Sequence, residues 1–150
     1  MMKKCFLLGH RNATEALLPE LIRVMISHVT EEHVQEFVVG KYGDFDSLAA
    51  RAALEVKKQY PHVRLVQLHP YLKGTIPEGF DGGRYPEGME TVPLRLAIVR
   101  ANRAAIDQAD CIIAYVWHTA SNTRKMLEYA QKRKLPIALI SRDGRTSRRL

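Results

Sequence analysis

Short apolar runs alternate along the chain with longer stretches in which apolar residues recur every three or four positions. Cys5-Phe6-Leu7-Leu8 reads as a buried strand ended by Gly9. Leu18, Leu21, Ile22, Met25, Ile26 and Val29 then fall on one side of a helix, with Thr14 as a candidate N-cap and Pro19 near its start. Residues 36–39 (Glu36-Phe37-Val38-Val39) read as a second strand ended by Gly40. Phe45, Leu48, Ala49, Ala52, Val56 and Tyr60 mark a second helix that Pro61 stops. Residues 63–68 predict a third strand. Leu94, Ala97, Ile98, Ala101 and Ala105 predict a third helix reaching about residue 109. Residues 111–116 predict a fourth strand, 122–132 a fourth helix and 136–140 a fifth strand.

Between these elements, residues 71–93 are rich in glycine and proline and show no clear period. A loop this long in a small domain is usually functional or mobile. It is expected to act either as a lid or as an interface. Strands alternating with helices imply a mostly parallel sheet covered on both faces. The expected fold is therefore α/β, a Rossmann-like three-layer sandwich with a mostly parallel five-stranded sheet. One domain is expected over residues 1–141, followed by a basic C-terminal tail at 142–150.

The chain has 150 residues and is 46% hydrophobic, which suits one globular domain and argues against disorder. Its net charge of +7 invites a nucleic-acid reading. The position of the charge changes that reading. Lys132, Arg133, Lys134, Arg142, Arg145, Arg148 and Arg149, opposed only by Asp143, carry nearly all of it. A solvated tail accounts for such a segment better than DNA binding does. Two cysteines, Cys5 and Cys111, cannot build a disulfide framework, and both lie in apolar runs. With a leading apolar run too short for a signal peptide and no membrane-length stretch, a cytoplasmic protein is expected. The six histidines show no metal-ligand spacing, so no metal site is expected. No Walker sequence and no G-x-G-x-x-G fingerprint is present, and no cofactor is expected.

In open α/β sheets, ligands bind beyond the carboxyl ends of the strands, where the strand order reverses. That rule gathers Gly9, His10 and Arg11 after the first strand, and Gly40, Lys41, Tyr42, Gly43 and Asp46 after the second. Trp117, Ser121, Asn122 and Thr123 follow the fourth. Glycines admit a ligand close to the backbone. Helix N-termini offer N–H groups to phosphate, and Arg11 and Lys41 add full charges. Tyr42, Tyr71 and Trp117 are placed to stack on a base or a sugar. The set predicts a phosphorylated nucleotide or sugar ligand. Plainer roles stand beside these: Gly9 and Gly40 suffice to end strands, Asp46 suits the first turn of a helix, and Trp117 suits loop packing. Asn102, inside the third helix, is expected either to touch the ligand or to bond a neighbouring loop.

Gly9-His10-Arg11 resembles the opening motif of the small YpsA-like members of the SLOG superfamily. These are Rossmann-like domains related to the DNA-processing Smf/DprA proteins and to the cytokinin-activating LOG enzymes. Gly40-x-x-Gly43-x-Phe45-Asp46 resembles the second-strand motif of small uncharacterised SLOG proteins. Tyr85-Pro86-Glu87-Gly88-Met89-Glu90-x-Val92-Pro93 is similar to their middle segment, as are Ala97-Ile98 and Arg100-x-Asn102. Asp110 followed by Ile112-Ile113-Ala114-Tyr115-Val116 is similar to their fourth strand. The resemblance covers residues 4–140. It specifies the family and not an activity. Taken with the strand-end rim, it leads to the expectation of a nucleotide-ligand binding domain acting as a sensor or regulatory module. Since relatives self-associate, a homo-oligomer is a possible state.

LOG enzymes carry a Gly-Gly-x-Gly-Thr loop followed by a glutamate that serves in N-glycosidic bond cleavage. Here the loop reads Ser121-Asn122-Thr123, and the glutamate position falls on Met126. Methionine is neither acid nor base, and Glu128 lies about 200° around the helix from that position. The resemblance therefore points away from catalysis. A phosphoribohydrolase or N-glycosidase of LOG type, with Asp46 as the weak catalytic candidate, and a DprA-like DNA-binding protein are the alternatives.

Overall fold

The computed structural model describes residues 2–72 and 74–149, with the side chain of Arg149 outside the description. β1 (Lys4–Gly9), β2 (Glu36–Val39) and β3 (Arg64–Leu68) are joined through α1 (Leu18–Thr30) and α2 (Asp44–Gln59). β4 (Gly82–Arg84) then leads through α3 (Ala97–Gln108) to β5 (Cys111–Tyr115). α4 (Asn122–Lys132), β6 (Ile137–Ile140) and β7 (Thr146–Arg149) complete the chain. The sheet order is β4-β3-β2-β1-β5-β6-β7, parallel throughout except for the antiparallel β6–β7 pair.

The sheet is buried on both faces, which is why its strands read as unbroken apolar runs. Along β1, Cys5 and Leu7 face the α1/α2 layer, while Phe6 and Leu8 face the α3/α4 layer. Each layer therefore has its own core. The chain builds two strands on one side of β1, then returns to lay β5 on its other side. That reversal puts the open carboxyl ends of β1, β2 and β5 at one rim.

The architecture is the expected α/β sandwich, but the sheet has seven strands where five were predicted. β4 lies inside the segment read as irregular. Its sequence, Gly82-Gly83-Arg84, carries no hydrophobic pattern, so periodicity could not reveal it. It is held from outside. Asp81 accepts from the backbone N–H of Leu65 and from Lys57 Nζ, both at 2.8 Å. Arg84 reaches back to Glu36, with its two terminal nitrogens 3.1 and 3.2 Å from the two carboxylate oxygens. Glu36 is 1% exposed and also meets Arg64 at 3.3 Å.

The second unforeseen strand is β7, in the segment expected to be a solvated tail. A turn at residues 141–145, with Gly144 at φ +84°, folds it back onto β6. Three cations of the segment have partners. Arg148 meets Glu32 at 3.3 Å, and Thr146 donates to Glu20 at 2.5 Å, which ties the hairpin to α1. Arg142 lies 4.2 Å over the Trp117 ring and Arg145 pairs with Asp143. Among the described residues, no helix is long and apolar enough to cross a membrane.

Glu36 is the anchor that a pattern-based reading could not assign, since a glutamate fully buried at the start of a strand holds only if paired. Glu36→Ala strands Arg84 beside the sheet and is expected to lower unfolding stability by about 2–3 kcal/mol, since both arginines can partly rehydrate. Denaturant unfolding measures this, and an unchanged midpoint would show that the pair does not hold the edge.

Candidate functional site

Three close approaches shape the rim. Gly9 ends β1 directly beneath Phe45 in the first turn of α2, and a side chain at residue 9 would overlap that ring. Gly40 ends β2 against the Asp46 carboxylate, again with no space for a Cβ. Gly43, at φ +102°, lies on the backbone of Arg11, and a Cβ there would sit 2.9 Å from the Arg11 Cα. The Asp44 N–H donates to the Arg11 carbonyl at 2.7 Å, locking the loops after β1 and β2 together. Tyr42 N–H donates to Asp46 Oδ2 at 3.0 Å, so residues 40–43 wrap around that carboxylate.

Above these loops lies a cleft of about 240 Å³. Its floor is Phe6, Leu8 and Gly9, the carboxyl half of β1. Arg11, Gly40, Lys41, Tyr42 and Asp46 form one wall. Asn102 and Val99 of α3, with Arg95 just before that helix, form the opposite wall, and Asn122, Thr123 and Met126 of α4 close the end. Ser121 caps α4 by accepting from the Arg124 N–H at 3.0 Å. The N–H groups of Asn122 and Thr123 remain at the positive end of the helix, with no intrahelical acceptor to take them.

The cleft is electropositive. Arg11, Lys41 and Arg95 face one carboxylate, and that carboxylate is poorly ionised. Burial raises Asp46 from the ordinary carboxyl range to about 7, and the Tyr42 amide and the Arg11 charge only partly pull it back. Beside the cleft, His69 is held below its usual value by burial and by Lys41. Tyr42 and Tyr71 meet edge to face, with centroids 6.3 Å apart, at the mouth.

Of the residues expected at the site, Gly9, Arg11, Gly40, Lys41, Tyr42, Asp46, Asn102, Asn122 and Thr123 converge on the cleft. Asn102 makes no side-chain hydrogen bond among the described residues, so the structural bond to a neighbouring loop is not formed. Gly43 and Ser121 shape the walls without lining them. His10 turns away: its Nε2 accepts from the backbone N–H groups of Trp117 (2.9 Å) and His118 (3.0 Å). Two donors on one ring nitrogen require its lone pair, so the proton sits on Nδ1 and the ring is neutral. Burial, with the His118 and Arg124 charges, lowers its pKa accordingly. His10 thus pins the β5–α4 connection rather than contacting the cleft. Trp117 is likewise drawn aside, packed between the α1/α2 core, Arg142 and His118.

Arg95 escaped the sequence reading. Its signal was a cation just after Pro93 at a helix start, where the helix dipole disfavours positive charge unless an anion is near. Met126 lines the cleft at the position where LOG enzymes carry glutamate, and Glu128 is exposed on another side of α4.

The Asp46 environment has a measurable consequence. Its folded pKa lies above its unfolded value, so the folded state holds the extra proton between about pH 4 and pH 7, and stability falls as pH rises through that window. Asp46→Asn removes the titration while keeping an oxygen for Tyr42. Between pH 5 and pH 8 the variant should gain on the wild type by on the order of 3 kcal/mol in denaturant unfolding. Parallel pH profiles would show that the carboxyl is not held protonated.

No family model matches the chain, and no curated protein matches it. Likeness is found among solved structures. DNA processing protein A from Helicobacter pylori, described for its single-stranded DNA binding mode, aligns with a TM-score of 0.64 at 19% identity, covering 91% of this chain and 64% of that one. DprA from Streptococcus pneumoniae aligns with a TM-score of 0.69 at 17% identity, covering 92% and 50%. The chain thus spans between half and two thirds of these DprA chains. The Moco carrier protein of Chlamydomonas rheinhardtii aligns with a TM-score of 0.60 at 12% identity, covering 95% and 79%. At these identities the likeness is one of fold: the chain shares a Rossmann-like α/β architecture with DprA and the Moco carrier protein.

Proposed function

We propose that this protein is a SLOG-superfamily domain that binds a nucleotide or nucleotide-derived phosphorylated ligand at the carboxyl ends of its strands and acts as a sensor or regulatory module. One observation carries the reading: Arg11, Lys41, Arg95 and the N-terminus of α4 converge on one cleft whose sole lining carboxylate has its pKa raised by burial to about 7, so it carries only part of its negative charge near neutral pH. Anions gain from each of these groups. At about 240 Å³ the cleft falls just below the usual range for small-molecule sites, about 300–1,000 Å³. It suits a phosphate with its sugar, the base lying outward toward Tyr42 and Tyr71.

A second reading rests on Asp46. A carboxyl with a pKa near 7 in an anion-binding cleft is suited to proton transfer. It would support hydrolysis of a nucleotide N-glycosidic bond from a position other than the LOG glutamate. A DNA-binding role draws on what is printed for the H. pylori DprA structure, and on the basic C-terminal segment. That segment is a weak donor of phosphate contacts, because Arg142, Arg145 and Arg148 are engaged within the fold.

Calorimetry and thermal shift against nucleoside monophosphates, ADP-ribose and NAD test the leading reading. Binding that inorganic phosphate competes away, and that Arg11→Ala or Lys41→Ala weakens about 10- to 100-fold, is expected from the loss of one charge-assisted contact. A folded sample that binds none of them would contradict it. Release of free base from a nucleoside monophosphate, abolished in Asp46→Asn, would instead establish the hydrolase reading.

A further inference from the structure

At the opposite end of the sheet from the cleft, three chemically soft groups meet in the core. Cys5 of β1 and Cys111 of β5 are register partners, so their side chains project to the same face. That face is covered by α1, which places His28 over the pair. The ligating atoms of Cys5, His28 and Cys111 all lie within 4.8 Å of one another, and all three residues are buried. Residues 5, 28 and 111 are too far apart in sequence for spacing to have shown this.

His28 is the unexpected member. It occupies the inward stripe of α1, with Leu21, Val24 and Met25, where a leucine would fill the space without a polar penalty. Its Nδ1 lies 2.8 Å from the Val24 carbonyl oxygen. A carbonyl only accepts, so Nδ1 carries the proton and the lone pair is on Nε2. That is the arrangement in which metal-binding histidines are held, one nitrogen donating to a backbone carbonyl and the other free to coordinate.

We propose that Cys5, Cys111 and His28 form a binding site for a thiophilic divalent metal ion, with Zn²⁺ as the best match. Zn–S bonds of about 2.3 Å and Zn–N bonds of about 2.0–2.1 Å put tetrahedral ligand atoms about 3.4–3.8 Å apart. From separations within 4.8 Å, closing the triad to that size shortens any one of them by about 1.4 Å at most. The charges balance: both thiols release their protons to solvent, the imidazole stays neutral, and two thiolates offset the divalent ion. A neutral cluster is one that an apolar core can hold. No electron is transferred.

The site has an entry and a fourth position. A pocket of about 520 Å³ opens beside it, lined by His28, Cys111, Glu31 and Glu32 together with Lys3 and Arg148, whose charges Glu32 offsets at 4.0 and 3.3 Å. A water entering from that side would complete the tetrahedron and leave the cluster neutral. Because the ligands come from β1, α1 and β5, the ion would clamp the amino-terminal ends of two central strands to the helix above them. The opposite rim, where phosphate is read, is untouched.

The test uses tag-free, full-length, reduced protein stripped of metal and titrated with Co²⁺ as a spectroscopic probe. The expected result is one equivalent bound, a thiolate-to-cobalt charge-transfer band, visible bands of a tetrahedral ion, and displacement by Zn²⁺. Cys111→Ser and His28→Ala should each weaken binding at least tenfold. Absence of the thiolate band in the wild type, or a band of undiminished intensity and affinity in Cys111→Ser, overturns the proposal. X-ray absorption of the wild-type zinc form keeps the question open to decision if the variants do not fold. Two sulfurs with nitrogen or oxygen around zinc support the site, and a shell without sulfur overturns it.

Discussion

The close seating of α2 on the ends of β1 and β2 is the constraint from which the rim follows. Gly9 makes way for Phe45, Gly40 for the Asp46 carboxylate and Gly43 for the Arg11 backbone. With a side chain at residue 9 the helix would have to lift, taking Phe45 with it, and with one at residue 40 the Asp46 carboxylate would have to turn aside. Because it does not lift, Asp46 is carried into a site with little water, and its carboxyl is pushed toward neutrality. The same seating projects Arg11 and Lys41 over the cleft from two adjacent loops. Steric economy at three positions thus sets both the shape and the electrostatics of the site.

The rim and the rest of the molecule divide the positive charge between them. Arg11, Lys41 and Arg95 stand at the cleft. Of the basic group near the C-terminus, Arg142 lies over Trp117, Arg148 pairs with Glu32 and Arg145 with Asp143. A net charge of +7 therefore describes two separate features, and only one of them gathers at the strand-end cleft. Connection β5–α4 joins them in space. His10 holds it through two backbone N–H groups, and the α4 N-terminus emerges from it toward the cleft.

Much of this was legible in the residues. Runs such as Cys5-Phe6-Leu7-Leu8 and Cys111-Ile112-Ile113-Ala114 identified the central strands, since strands buried on both faces have no polar alternation to obscure them. The rule that ligands sit at strand ends then placed Gly9, Arg11, Gly40, Lys41, Asp46, Asn122 and Thr123 together across large sequence separations. What stayed hidden shares a physical cause. β4 and β7 are edge strands held by specific pairs, Arg84 with Glu36 and Thr146 with Glu20, rather than by hydrophobic pattern. His10 and Trp117 carry the right chemistry for a site, but tertiary hydrogen bonding and packing turn them aside. Arg95 lay outside the strand ends and so outside the rule that found the others.

The central claim is that an anion is read by backbone amides and cations at the strand-end rim. Amide NMR of the full chain, titrated with a nucleoside monophosphate and separately with inorganic phosphate, tests it most directly. Shifts centred on Gly9 to Arg11, Gly40 to Gly43 and Asn122 to Thr123, shared by both titrants, are the predicted result. Shifts confined to the β6–β7 hairpin, or none at saturating nucleotide, would contradict the account.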